Sequence, residues 1–159
     1  MESNEKLFRR LDYLASGQFI TNSLFRVGHM IRTRAIENLN KPTSHGEASL
    51  PTSNSGELAK KIEVTPKGKS IFVISSAPYS AYVEFGTRPH YPPSKPLIKY
   101  VRRKYKLSQK EAVRRGYALQ KYIGKHGTKA RPFFKPAVKS ISKADISKIV
   151  FEELKKAIL

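Results

Sequence analysis

The chain has 159 residues, 39% of them hydrophobic, with 8 Phe and 8 Tyr, enough for one folded domain and too much for a wholly disordered polymer. No cysteine is present, which excludes disulfides and thiolate metal sites, and no apolar run approaches the length of a membrane span. Net charge is +19, and from Arg88 through Lys143 there are 17 Lys and Arg against one acid, Glu111, a field that seeks polyanions or acidic partners.

Along the chain, Leu7, Leu11, Leu14, Ile20, Leu24, Val27, Ile31 and Ala35 recur at three or four residue intervals. That spacing predicts one long amphipathic helix over residues 1–39, its stripe laid on a sheet and Gly17 the point where it kinks or splits. His29 falls beside the stripe and reads as a packed or surface histidine, not a ligand. Residues 40–57 hold Pro42, Gly46, Pro51 and many Ser and Thr, and read as a long mobile loop.

A sheet is expected over residues 58–90. Strands at 61–65 and 70–75 are joined by Pro66-Lys67-Gly68-Lys69, and Ile71-Phe72-Val73-Ile74, apolar on both faces, reads as the central strand. The β-prone run 79–85 supplies a third strand, with Tyr79, Ala81, Val83 and Phe85 on one face and Tyr82 and Glu84 on the other. Glu84 there either meets an arginine, Arg88 or Arg131, or stands on a solvated strand face.

Residues 91–126 read as a basic helical insertion. Ser94 is the expected N-cap of a short helix built on Leu97, Val101 and Tyr105, which carries Lys99, Arg102, Arg103 and Lys106. The capping box Ser108-Gln109-Lys110-Glu111 opens a second helix with Ala112, Gly116, Leu119 and Ile123 on one face, ending at Gly124 and carrying Arg114, Arg115, Lys121 and Lys125. The pair superficially resembles a helix-turn-helix. Its second helix offers nothing specific to base edges, so these eight cations are candidates for positioning the chain on DNA phosphates or on an acidic partner.

Residues 127–159 complete the chain. Pro132 and Pro136 argue for an extended return to the sheet, on which Phe133 and Phe134 bury apolar area and Arg131 comes within reach of Glu84. Ser142 and Asp145 form another capping box ahead of an amphipathic helix with Ile146, Ile149, Val150, Leu154, Ala157 and Ile158. The expected fold is α+β and one domain over 1–159. An antiparallel sheet of three or more strands is packed by the long N-terminal and C-terminal helices, with two short basic helices inserted.

Catalytic signals are missing: no phosphate-binding Gly-Lys loop, no nucleophile elbow, no paired metal-ligating histidines, and only Asp12 and Asp145 as aspartates. No catalytic residue, cofactor or metal is expected. His90 and His126 flank the basic region as an acid and base would in a metal-independent ribonuclease, or stand as plain loop histidines.

Several stretches in order carry a resemblance. They are Ser55-Gly56-Glu57-Leu58, then 79–88 (Tyr-Ser-Ala-Tyr-Val-Glu-Phe-Gly-Thr-Arg), then Pro92-Pro93 with Leu97, then 127–137 (Gly-Thr-Lys-Ala-Arg-Pro-Phe-Phe-Lys-Pro-Ala). Over 55–138 the chain resembles the tail-completion, or neck, protein family of long-tailed double-stranded-DNA bacteriophages, although Ser55 stands where that family usually has Thr. The resemblance marks Glu84, Phe85, Gly86, Thr87, Arg88, Arg131, Pro132, Phe133 and Phe134 as the structural motif. It implies a virion structural protein without enzymatic activity, assembled in the host cytoplasm. Its copies would form a ring around the DNA channel, between a head connector or adaptor and a tail terminator or tail tube protein. A nonspecific basic nucleic-acid-binding protein is the alternative reading, and a small basic ribonuclease a third.

Overall fold

The fold is organised around one long helix, as the computed structural model shows for residues 2–41 and 56–158. The predicted N-terminal helix divides at Gly17, whose φ of 68° is left-handed, into α1 (Glu2–Ala15) and α2 (Gln18–Asn40). Helix α2 then meets nearly everything else: the short α3 (Glu57–Lys60), strands β1 (Ile62–Lys67) and β2 (Ser70–Ser75), and the C-terminal α7 (Phe134–Lys139) and α8 (Lys143–Ile158). Between them lie α4 (Ser80–Phe85), α5 (Ser94–Tyr105) and α6 (Gln109–His126). Of the stretch read as a mobile loop, 42–55 lies outside the described residues.

The expected sheet of three or more strands is not what forms: among the described residues there are eight helices and one two-stranded antiparallel sheet. Strands β1 and β2 pair in a hairpin with Val64 opposite Val73 and Ile62 opposite Ser75. Gly28 seats α2 on this sheet, since a Cβ there would stand 2.8 Å from Val64 Cγ1 and 2.9 Å from Ile71 Cγ2. Strand β2 is an edge strand and not the expected central one, and α2 covers only one face of the hairpin, so its Ile71 and Val73 side is half-buried while Phe72 and Ile74 are exposed on the other.

The run 79–85, read as the third strand, instead makes a helical turn opened by Ser80 N–H donating to Ala77 O at 3.0 Å and Val83 N–H to Tyr79 O at 3.2 Å. Its β propensity is a preference of about 1 kcal/mol that context overrides. The context is the position of Val83 and Glu84. A strand would send these neighbours to opposite faces, whereas the helical turn directs both inward and leaves Tyr82 and Phe85 outside, Phe85 at 76% exposure.

The core gathers Ala35 and Leu39 from α2, Leu58, Ile62, Ala77, and Phe133 and Ala137 from the C-terminal part. A polar seam joins α2 to α8. Arg26 pairs with Glu152 at 2.5 Å and with the buried Glu153 at 2.9 Å, Lys156 adds 2.7 Å to Glu153, and Tyr13 O–H donates to Glu153 at 3.4 Å. The capping box before α8 forms, with Ser142 N–H donating to Asp145 Oδ2 at 2.9 Å and Asp145 N–H to Ser142 Oγ at 3.1 Å. No described helix is long and apolar enough to cross a membrane.

Candidate functional site

The two motif segments close on each other through Glu84. Its carboxylate, 7% exposed, accepts hydrogen bonds from three successive backbone N–H groups, of Phe133 at 2.7 Å, Phe134 at 2.9 Å and Lys135 at 2.9 Å. These are the orphan donors of the first turn of α7, and a carboxylate is the natural acceptor at the positive end of a helix. The expected Glu84–Arg131 ion pair is therefore absent. The Arg131 guanidinium turns the other way and donates to the carbonyls of Leu39, at 3.1 Å, and Lys41, at the end of α2. Burial holds Arg131 below its ordinary pKa, with the nearby Tyr100 opposing that shift. Arg88, the other candidate partner, is exposed.

Residues 127–138 are correspondingly not an extended return throughout. Pro136 stands in the first turn of α7, where its missing N–H and fixed φ cost little, so the two prolines limit the helix without excluding it. Phe133 is buried in the core at 1% exposure, and Phe134 packs half-buried at 5.0 Å between ring centroids. Asn38 of α2 donates to Phe133 O at 3.1 Å and holds the segment from the other side.

Next to this clasp, Thr87 and Thr128 form an isolated antiparallel bridge, with N–H to O distances of 3.0 and 3.2 Å and their hydroxyls 3.0 Å apart. Gly86 (φ 74°) and Gly127 (φ 69°) make this approach possible. A Cβ on Gly86 would meet Thr128 O at 2.5 Å, and one on Gly127 would collide with Thr87 O. Arg131 N–H donates to Val83 O at 2.8 Å and completes the junction.

From this bridge the chain leaves and returns as a helical hairpin. Helices α5 and α6 pack on each other and on no other helix or strand to a comparable extent. Leu97 and Val101 face inward from α5, and Ala112, Gly116 and Ile123 from α6, with Gly116 pressed against Ile98. Pro93, not Ser94, occupies the N-cap of α5, and Ser94 is its first residue. The capping box of α6 forms as read, Ser108 N–H and O–H donating to Glu111 Oε2 at 3.2 and 2.6 Å, and these bonds hold the Glu111 carboxyl below its usual range. Helix α6 runs past Gly124 to His126. Gly124 serves for close approach to the Tyr91 ring, and Gly127, at φ 69° and ψ −161°, ends the helix with its N–H donating to Ile123 O at 2.8 Å.

Lys99, Arg102, Arg103, Lys106, Arg114, Arg115, Lys121 and Lys125 are all exposed on this hairpin. None forms an ion pair among the described residues, whose ion pairs all lie outside the hairpin. Arg115 and Lys104 instead sit over the Tyr105 ring, at 5.3 and 5.0 Å. His90 contacts Arg88 O through Nδ1 at 2.9 Å, and His126 stacks on Tyr122 at 4.6 Å, so each has a local partner of its own. No metal-binding group of His, Asp and Glu is found among the described residues.

Sequence reasoning missed the Glu84 cap and the Arg26–Glu153 seam. The seam left one signal, since Glu153 lies four residues after Ile149 on the apolar face of α8. No protein-family model matches the chain, and neither a curated protein nor a solved structure matches it.

Proposed function

We propose that this chain is a structural protein of a bacteriophage neck, a tail-completion or head–tail joining component that assembles as a ring. The reading rests on the resemblance of residues 55–138, and the observation that carries it is the clasp. The two longest segments bearing the resemblance, distant in sequence, interlock through Glu84 on the amides of 133–135 and through the Thr87–Thr128 bridge, so they act as one unit. Ring assembly finds support in large apolar side chains left exposed on several elements: Phe8 on α1, Phe72 and Ile74 on β2, Phe85 on α4 and Phe151 on α8. Contacts between copies would cover them. In the ring the chain joins a head connector to a tail terminator or tail tube protein and has no catalytic role.

Light scattering over a concentration series, in high salt and after nuclease treatment, tests the proposal. Self-assembly gives a whole multiple of 18.0 kDa, either alone or as the mass gained by the connector ring. A monomer under both conditions, combined with absence of the chain from purified particles, overturns it.

A further inference from the structure

The cations of the hairpin are not scattered over it. On α6, Lys110, Arg114, Lys121 and Lys125 are exposed and fall at i, i+4, i+11 and i+15, with exposed Tyr117 at i+7 filling the row. On α5, Lys95, Lys99 and Arg102 fall at i, i+4 and i+7 and are likewise exposed, while Lys106 follows at the C-cap, outside the helix. At about 100° per residue, each row lies on the far side of its helix from Leu97 and Val101, or from Ala112, Gly116 and Ile123, the residues buried between the helices. Each helix thus carries one straight outward row of positive charge, that of α6 about 22 Å long. Arg103 and Arg115 fall outside the rows.

We infer that this hairpin is an arm that grips the sugar-phosphate backbone of double-stranded nucleic acid through one of these oppositely facing rows at a time, without reading sequence. Three arguments select that partner over an acidic protein. The row cations form no salt bridge among the described residues, whose ion pairs all lie outside the arm, and Glu111 is the one acid on either helix. A duplex carries one charge per about 1.7 Å of axis, denser than a row with one cation per turn, so every cation finds a phosphate at any register. An acidic protein surface offers discrete carboxylates and demands matched register. It also usually brings apolar anchors, and the rows contain none beyond Tyr117. Base reading is unsupported because neither row contains Asn or Gln, and Gln120 on α6 is held by Pro92 O at 2.7 Å.

This gives the neck reading a partner for its basic arm, yet the two fail separately: ring assembly is read from mass in high salt, duplex binding from affinity in low salt. The experiment measures binding of the full chain to duplex DNA of mixed sequence across a salt series. Two fourfold variants that lose the same charge are compared with wild type. One neutralises two cations of each row (Lys99→Gln, Arg102→Gln, Arg114→Gln, Lys121→Gln). The other neutralises exposed lysines outside the arm (Lys60→Gln, Lys67→Gln, Lys69→Gln, Lys148→Gln).

For wild type, log K falls against log salt with a slope of about −3.6 with the four cations of the α6 row seated or about −2.7 with the three of α5, and affinity drops at least about fortyfold between about 50 and 200 mM salt. The arm variant at least halves the slope and the other variant leaves it unchanged, on any duplex sequence. A flat salt response, equal losses in the two variants, or displacement of the duplex by polyglutamate at equal charge concentration overturns the proposal, the last in favour of an acidic protein partner.

Discussion

Glu84 Oε2 accepts the backbone N–H of Phe133 at 2.7 Å, so a carboxylate from one motif segment caps a helix that belongs to the other. Helix caps are usually local in sequence, and this one closes the chain across 49 residues. It also explains why a glutamate is tolerated at 7% exposure without a cationic partner, because three amides satisfy it.

Glu84→Ala leaves three amide donors of α7 without their acceptor and lowers stability by on the order of 3 kcal/mol. Glu84→Gln keeps one acceptor oxygen but turns an amide NH2 toward another donor, at a cost of about 1 to 2 kcal/mol. Urea unfolding of the two variants measures both. An alanine variant within about 0.5 kcal/mol of wild type refutes the cap as a source of stability.

The two positive-φ glycines differ in what a side chain would meet. Gly17→Ala meets nothing within 4 Å and bears only the left-handed φ of 68°, a loss of about 1 to 2 kcal/mol. Gly127→Ala, at φ 69° and ψ −161°, sits in a region essentially closed to other residues and also drives a Cβ into Thr87 O, so it loses distinctly more on both counts. Thermal melts of the pair read the difference directly, and equal midpoints contradict the close approach.

Acid sensitivity follows from the α2–α8 seam. Lys156 and Arg26 hold the Glu153 carboxyl below its usual range, and Arg26 holds Glu152 likewise. A depressed folded pKa contributes stability that is fully present above the unfolded value and is lost as pH falls through the folded one. Stability is thus level near neutrality and declines below about pH 4.5, the ordinary glutamate value. Glu153→Gln is less stable at pH 7 and shows a flatter acid limb. An acid limb as steep as wild type assigns the decline to other groups.

Exposed aromatics distinguish folding from assembly. Phe85→Ser and Phe151→Ser remove side chains that are 76% and 59% exposed, so each changes the stability of the single chain by less than about 0.5 kcal/mol. If these side chains meet other copies, the same changes lower the mass seen in light scattering. Variants that assemble as wild type does place the contacts elsewhere.

Helices were legible in the sequence wherever their signal was local. The apolar spacing of α2, the capping boxes at Ser108 and Ser142, and the breaking glycine at 17 each act within a turn or two of chain. The run 79–85 was not legible, because its residues favour a strand and its helical turn is imposed by amides 49 to 51 residues away. Arg131 failed for a related reason: its partners are main-chain carbonyls of Leu39 and Lys41, which no side-chain pattern announces. The surplus of positive charge was plain in the composition. Its order into rows required knowing where each helix starts and which face it buries.

The bridge between Thr87 and Thr128 has a consequence for how such a chain can change over time. It fixes the two ends of the hairpin to each other at one point, so whatever lies between them is a cassette. Lengthening both helices by whole turns at their far ends, beyond Tyr100 and its neighbour Arg131, leaves the bridge and the Glu84 cap in place. Loop-closure entropy grows by only about 0.6 kcal/mol per doubling of length. The reach and charge of the arm are thereby free to diverge while the body that carries it stays the same.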